Sequence, residues 1–331
     1  MRDYEDKGQT WKDRDRLSVP LTRMNGPTVS IGLPVYNCQA FLEAALDSIL
    51  GQGFGDFELI ISDNASSDDT GAICGVYAKR DKRIRLYRSE TNIGVNPNHD
   101  RVFELSVGKY FMWTAHDVEW LPGMLKRCVQ VMQEAPASVV LAYPRCEVIQ
   151  DGQTLSLDEQ MSIARRDARP HKRVAAVIRR VVFVDQLFGL SRREALAQTR
   201  LNEEYPSSDY VLLAELAMLG QIWEIPEVLL RRRIDSDRGT AAVHQDQTAW
   251  RAWLNVNNKK DGKAWIPHRE RLALEYMLGA WRLPLKPADK LLCLMTILPT
   301  YYGRMSRSVR FMLNVTAPWR HKLRLSRGGD L

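Results

Sequence analysis

The chain lacks the marks of several common nucleotide and redox proteins. Its 331 residues hold five cysteines, Cys38, Cys74, Cys128, Cys146 and Cys293, and no two form a C-x-x-C pair. An odd, scattered set is neither a disulfide framework nor a zinc site; each thiol reads as a small core residue suited to a reducing cytoplasm. No apolar run approaches the roughly 20 residues that span a bilayer. The N-terminus, MRDYEDKGQTWKDRDRL, has no apolar centre, so it is neither a signal peptide nor an anchor, and residues 1–27 read as a disordered leader. No glycine-rich turn follows the first predicted strand, and G-K-S and G-K-T are absent, which removes the dinucleotide fingerprint and the phosphate-loop NTPase. GQGFG at Gly51 to Gly55 lies between a helix and a strand, the wrong order for cradling a pyrophosphate.

What is present is globular, with 45% hydrophobic and 26% charged residues. The formal charge of +7 is concentrated at one end: Lys286 to Leu331 carries nine Lys and Arg against Asp289 and Asp330, which equals the whole excess. The remainder is neutral as a set, which excludes a nucleic-acid-binding stripe on the folded part.

The chain is organised around Lys109 to Leu121, KYFMWTAHDVEWL. Tyr110 to Ala115 is a nearly continuous apolar run, as in a strand buried on both faces. His116, Asp117 and Glu119 follow at once, and Pro122-Gly123 separates them from a helical stretch beginning at Met124. In an open parallel sheet ligands bind beyond the carboxyl ends of strands, so Asp117 stands where a metal or phosphate-metal anchor belongs. The competing reading is a helix cap.

Three more strands precede it, Thr28–Leu33, Phe57–Ile61 and Ile84–Tyr87, each followed by a turn and a helical stretch, with Ser66 or Ser67 placed to cap the second helix. A fifth strand is predicted over Ser138–Tyr143 and a last one over Ile222–Leu230; between them Ser207-Ser208-Asp209 opens a helix that Gly220 ends. Strands alternating with helices predict an α/β fold with a mostly parallel, doubly wound sheet. A helical extension follows from about Thr240. The strand ends offer Asn37, Asp63, Asn64, Asn92 and Asp117, side chains suited to base and ribose hydrogen bonds and one metal-bridged diphosphate.

VSIGLPVYNCQAFLEAALDSILGQ, FELIISDNASSDDT, the NIG at Asn92 to Gly94 and GKYFMWTAHDVEWLPGML together resemble, in order and spacing, the family 2 glycosyltransferases of GT-A fold. The resemblance implies a catalytic domain over residues 28–240, with 28–136 binding a nucleotide sugar and 137–240 the acceptor, and a helical, basic extension over 241–331. It places Pro34, Tyr36, Asn37 and Asp63 at the nucleotide base; Asp63 and Asn64 as a mere turn is the competing reading. The family's acidic motif commonly has further aspartates where this chain has Ala115 and Val118, which leaves Asp117 to hold Mg²⁺ or Mn²⁺ with the donor diphosphate and waters, and His116 as a hydrogen-bonding neighbour. The family's catalytic base heads a helix in the second half, which by position is Asp209; its other reading is a first-turn acid. A histidine that often follows the arginines after the last strand is replaced by Asp235, so Arg233 becomes the phosphate partner.

The resemblance thus implies an inverting, metal-dependent transfer from a nucleotide sugar, a UDP-sugar in the first instance, to a hydroxyl of a glycan or lipid-linked acceptor. The alternative is a catalytically silent module that binds a nucleotide sugar or a partner protein. Leu291 to Leu298, the aromatics Tyr301, Tyr302 and Trp319 and the clustered bases predict peripheral contact of 286–331 with an anionic membrane, on its cytoplasmic face. The competing reading packs Leu291 to Leu298 as a core helix.

Overall fold

The computed structural model describes residues 26–150, 153–155, 162–181, 184–234 and 267–303. Residues 1–25 of the leader expected over 1–27, Asp235, and Trp319 with the bases beyond residue 303 lie outside these.

The first half alternates β1 (Val29–Val35), α1 (Gln39–Leu50), β2 (Phe57–Asp63), α2 (Thr70–Arg80), β3 (Ile84–Arg88), α3 (Val95–Glu104) and β4 (Tyr110–Trp113). β3, β2, β1 and β4 are parallel neighbours in that order, with Val35 opposite Asp63 and Gly32 opposite Trp113. Alternate residues of β4 enter different cores: Phe111 and Trp113 pack against Phe103 of α3, whereas Tyr110 and Met112 join the core under α1. This double burial is why the run is apolar at every position. α1 seats Leu42, Ala45, Leu46 and Ile49, the spacing of one helical face. Gly32 lets α3 come close, since a Cβ there would lie 2.6 Å from Val102 Cγ2.

Beyond Trp113 the sheet is mixed. The chain continues through β5 (Val118–Trp120), α4 (Met124–Glu134), β6 (Val139–Gln150), β7 (Gln153–Leu155), α5 (Pro170–Arg180), a 3₁₀ turn (Asp185–Phe188), β8 (Leu190–Arg192), α6 (Arg193–Leu196), α7 (Ser208–Leu219) and β9 (Gln221–Ile234). The order is β3-β2-β1-β4-β8-β6-β9-β5, with β7 on β6; β8 is antiparallel to both its neighbours and β5 to β9. Four flat inter-strand steps from β4 to β5 would cover about 19 Å, yet five residues from Trp113 to Val118 reach at most about 17 Å. The sheet therefore curls, and the His116-Asp117 turn bridges the curl. β9 runs parallel to β6 but its register jumps from Ile225 opposite Pro144 to Val228 opposite Arg145, a bulge that accommodates Pro226 inside a strand.

GQGFG has a structural use. Its Gln52 amide donates to Ser48 O and Leu121 O, at 2.9 and 3.2 Å, and accepts from Leu125 N, tying the end of α1 to the start of α4.

The C-terminal helices α8 (His268–Arg282) and α9, described over 287–303, share a core with α7 through Leu272, Tyr276, Ala280, Cys293, Ile297 and Tyr301. Arg200 fastens this junction. Its guanidinium meets Glu215 of α7 at 2.7 Å, Glu275 of α8 at 2.6 Å and Glu203 at 3.0 Å.

Candidate active site

The first wall of the cleft is built from the ends of β1, β2 and β3. Pro34 closes β1 in the core, and the chain turns at Tyr36, which is exposed, and Asn37, whose φ of 45° lies in the left-handed region asparagine tolerates. Asn37 is held on both sides: its N–H donates to Ser66 Oγ at 3.0 Å and its Oδ1 accepts from Ser67 N at 2.8 Å. Ser66, expected as a helix cap, serves this turn instead; α2 begins after Asp69, with Asp68 Oδ1 accepting from Thr70 N.

Asp63 is fully buried at the end of β2. One oxygen accepts from Ser66 N at 2.9 Å and the other pairs with Arg88 Nη1 at 2.7 Å. Asn64 reaches sideways: its Nδ2 donates to Asn92 Oδ1 at 2.8 Å and Gly94 O at 3.1 Å, and its Oδ1 accepts from Ile93 N. Asp63, Asn64 and Asn92 thus shape the loops, as the Asn37 carboxamide oxygen does through Ser67, while Tyr36 presents its side chain outward.

Those loops are linked to the second half. Asn96, on the first turn of α3, donates from Nδ2 to Glu203 O at 2.6 Å and to Ser208 Oγ at 3.2 Å, so the N-termini of α3 and α7 adjoin. Asp209 is the next residue. The helix starts from Ser207 in left-handed conformation, with no side-chain cap, and Asp209 Oδ1 accepts its neighbour's N–H, from Tyr210 at 2.9 Å. Burial lifts the Asp209 carboxyl from its ordinary 3.8 to about 6, against the opposing pull of the backbone N–H groups and Arg232. Desolvation thus outweighs the helix N-terminus that was expected to hold the group low, and the outcome is a stronger base that is still mostly ionised at neutral pH.

His116 and Asp117 occupy the turn between β4 and β5, both part-exposed, with Arg233 N donating to Asp117 O at 3.0 Å. Among the described residues no group of three His, Cys, Asp or Glu is placed to hold a metal, and the Asp117 carboxylate takes no hydrogen bond. Such a site offers one protein oxygen and leaves the other positions of an octahedral Mg²⁺ or Mn²⁺ to phosphate and water, which a hard cation accepts.

The arginines of β9 alternate in direction. Arg231 and Arg233 both approach Glu119, at 3.4 and 3.8 Å, and Arg233 lies over the Phe41 ring, 5.8 Å from its centroid. Arg232, opposite Val118, turns to the other face and pairs with buried Asp185. Its guanidinium is within electrostatic reach of Asp117, and Asp209 feels its charge. Sequence reasoning singled out Arg233 and passed over Arg232 and Asp185; strand alternation of a pleated β9 is the signal that separates them. The five cysteines are free, and burial pushes the thiols of Cys38, Cys74 and Cys128 up to about 12 and that of Cys293 to about 11.

A curled α/β sheet with polar loops at its strand ends, Asp117 in the turn after β4 and Asp209 at the head of α7 describes a group-transfer enzyme of GT-A type. The profile of glycosyl transferase family 2 matches residues 30–196, and the chain belongs to that family. It is 28% identical over 191 residues to the GalNAc(5)-diNAcBac-PP-undecaprenol beta-1,3-glucosyltransferase of Campylobacter jejuni, covering 57% of this chain and 60% of that one. It is 32% identical over 108 residues to the putative teichuronic acid biosynthesis glycosyltransferase TuaG of Bacillus subtilis, covering 33% and 43%. The chain therefore spans less than two thirds of these relatives. In fold it is similar to residues 1–349 of TarS from S. aureus, with a TM-score of 0.58, 15% identity and coverage of 88% and 77%. The same TarS segment in complex with UDP-GlcNAc also gives 0.58 at 15% identity, covering 83% and 73%.

Proposed function

We propose that the chain is an inverting, metal-dependent glycosyltransferase that passes a sugar from a nucleoside diphosphate sugar to an acceptor hydroxyl. The observation that carries this reading is the junction of the two halves at the strand ends, where Asn96 of α3 bonds Glu203 O and Ser208 Oγ beside Asp209, and Arg233 N of β9 bonds Asp117 O in the β4–β5 turn. Tyr36 and Asn37 line the base side; Asp63, Asn64 and Asn92 keep that wall in shape; His116 hydrogen-bonds the donor. Asp117 would hold Mg²⁺ or Mn²⁺, which when bound offsets the charge of the departing diphosphate. Arg232, and Arg233 from its exposed position, add cationic charge on the same side. Asp209, lifted toward neutrality by burial, accepts the proton of the attacking hydroxyl. Residues 28–136 serve the donor and 137–240 the acceptor.

The UDP-sugar assignment is supported by the TarS segment observed with UDP-GlcNAc. A glycan or lipid-linked acceptor is supported by the Campylobacter relative, named for a PP-undecaprenol substrate. Such an acceptor lies at the cytoplasmic face of a membrane, which suits the charge of residues 286–331. The test is donor-dependent thermal stabilisation across a panel of nucleotide sugars, with and without Mn²⁺, in wild type and Asp117→Asn. One donor should stabilise wild type in a Mn²⁺-dependent way, and the variant should lose that dependence. Equal stabilisation of both proteins would sink the metal assignment, and no response to any donor would sink the donor reading.

A further inference from the structure

The C-terminal helices are apolar on both sides, and only one side is used by the core. On α9 the inner face seats Cys293, Ile297 and Tyr301; on α8 it seats Leu272, Ala273, Tyr276 and Ala280. The helices are antiparallel: Tyr301 Oη donates to Arg269 O at 3.1 Å at one end, and Lys290 Nζ donates to Trp281 O at 2.7 Å at the other. Their outer faces are exposed. Leu274, Leu278 and Trp281 recur at helical spacing along α8, and Leu291, Met295, Leu298 and Tyr302 along α9. Trp281 is 65% exposed and Met295 66%, and of eleven exposed large hydrophobic residues in the described chain eight fall between Leu274 and Tyr302. Singly exposed apolar side chains are ordinary, but so many on two adjoining helices mark a docking surface.

Charge selects the occupant. Arg269, Arg282 and Lys286 are exposed on and after α8 against the exposed Glu270, and residues 304–331 add seven Lys and Arg against Asp330 to the sequence that follows. A second copy docked on the same face would bring its own basic segment against the first, because a two-fold interface pairs identical patches. An anionic bilayer is complementary to both the apolar face and the bases. Among the described residues no helix is long and apolar enough to cross a membrane, so the contact is in the plane of the surface.

We propose that the outer face of α8 and α9 docks on the surface of an anionic lipid bilayer, with Trp281, Leu291 and Met295 entering the headgroup boundary. This deepens the membrane contact proposed above by naming the surface, and its location differs from the sequence expectation: Tyr301 is buried, Cys293 and Ile297 within Leu291 to Leu298 belong to the core with Leu294 packed against it, and Trp281 of α8 joins the face.

The test reads binding without turnover, so it can fail while the transferase reading stands. Full-length protein is floated with phosphatidylglycerol–phosphatidylcholine vesicles and with phosphatidylcholine alone, at low and high salt. Wild type should float with the anionic vesicles at low salt, and Leu291→Glu with Met295→Glu should weaken binding at least about tenfold with an unchanged melting temperature. In brominated anionic vesicles wild-type tryptophan fluorescence should be quenched, and Trp281→Phe should remove part of that quenching; this readout decides alone where the double variant does not fold. Sedimentation of wild type, equal flotation with neutral vesicles, or quenching untouched by Trp281→Phe would each overturn the proposal. So would a double variant that converts a dimer to a monomer with lipid binding intact, which would assign the face to a second copy.

Discussion

Replacing Asp209 by asparagine should make the protein more stable and nearly inactive at once. The folded carboxyl titrates near 6 against an ordinary 3.8, because burial penalises its charge. Folding therefore favours the neutral acid. Below the unfolded value of 3.8 both states are protonated and nothing is lost; as pH rises through about 6 the folded protein must carry the buried charge. A difference of about two units, at roughly 1.4 kcal/mol each, corresponds to a destabilisation of order 3 kcal/mol above pH 6. Asp209→Asn keeps the shape, and its side-chain oxygen can still accept from Tyr210 N, but it has no charge to bury. Urea unfolding should show the variant more stable than wild type by about that amount at pH 8 and indistinguishable at about pH 4. Its turnover should fall by about a hundredfold or more with little change in donor affinity. In wild type, kcat/KM should decline as pH falls through about 6. A stability gain of the same size at both pH values would show that packing, not ionisation, is responsible. Near-normal turnover would show that another group takes the proton.

Two further outcomes follow from neighbouring residues. Asp185→Asn removes a carboxylate paired with Arg232, so more of the guanidinium's charge acts on Asp209; the acid limb of the pH–rate profile should move below 6, and an unmoved limb would separate the two sites. Arg200→Met strands Glu215 in the interior and leaves Glu275 with Arg271 at 3.4 Å, and should cost about 3–5 kcal/mol in urea unfolding, whereas a cost below about 1 kcal/mol would mean that water reaches the cluster.

Much of the first half was legible because its signals are local. β1, β2 and β4 are apolar runs that give way to polar turns at Tyr36-Asn37, at Asn64 and at His116-Asp117, β1 and β2 each running further than the sequence suggests, through Pro34-Val35 and Ser62-Asp63, and the intervening helices show their faces in spacing. β5 was not, because three residues become a strand only through pairing with β9, more than a hundred residues later. The roles of Asp63, Asn64 and Asn92 were half legible: a polar residue after a strand has the same appearance whether it meets a ligand or stitches two loops, and here the stitching is visible at 2.7 to 2.9 Å. α9 defeated pattern reading differently. A helix apolar on both faces gives no amphipathic signal, so core and exposed sides separate only once α8 is in place.

The bulge around Pro226 has a consequence for the cleft that composition does not reveal. Arg231, Arg232 and Arg233 are chemically equivalent, and only their place in the pleat decides which one meets Asp185 and which meet Glu119. That parity is set by two successive shifts, from Ile225 opposite Pro144 to Val228 opposite Arg145 and from there to Leu230 opposite Cys146. Deleting one bulge residue would leave every arginine in the chain and move the downstream side chains to the opposite face. Because three arginines follow one another, a slip by one residue would still set a guanidinium on the Asp185 side, so the run guards the charge beside Asp209 against the very parity that the bulge sets.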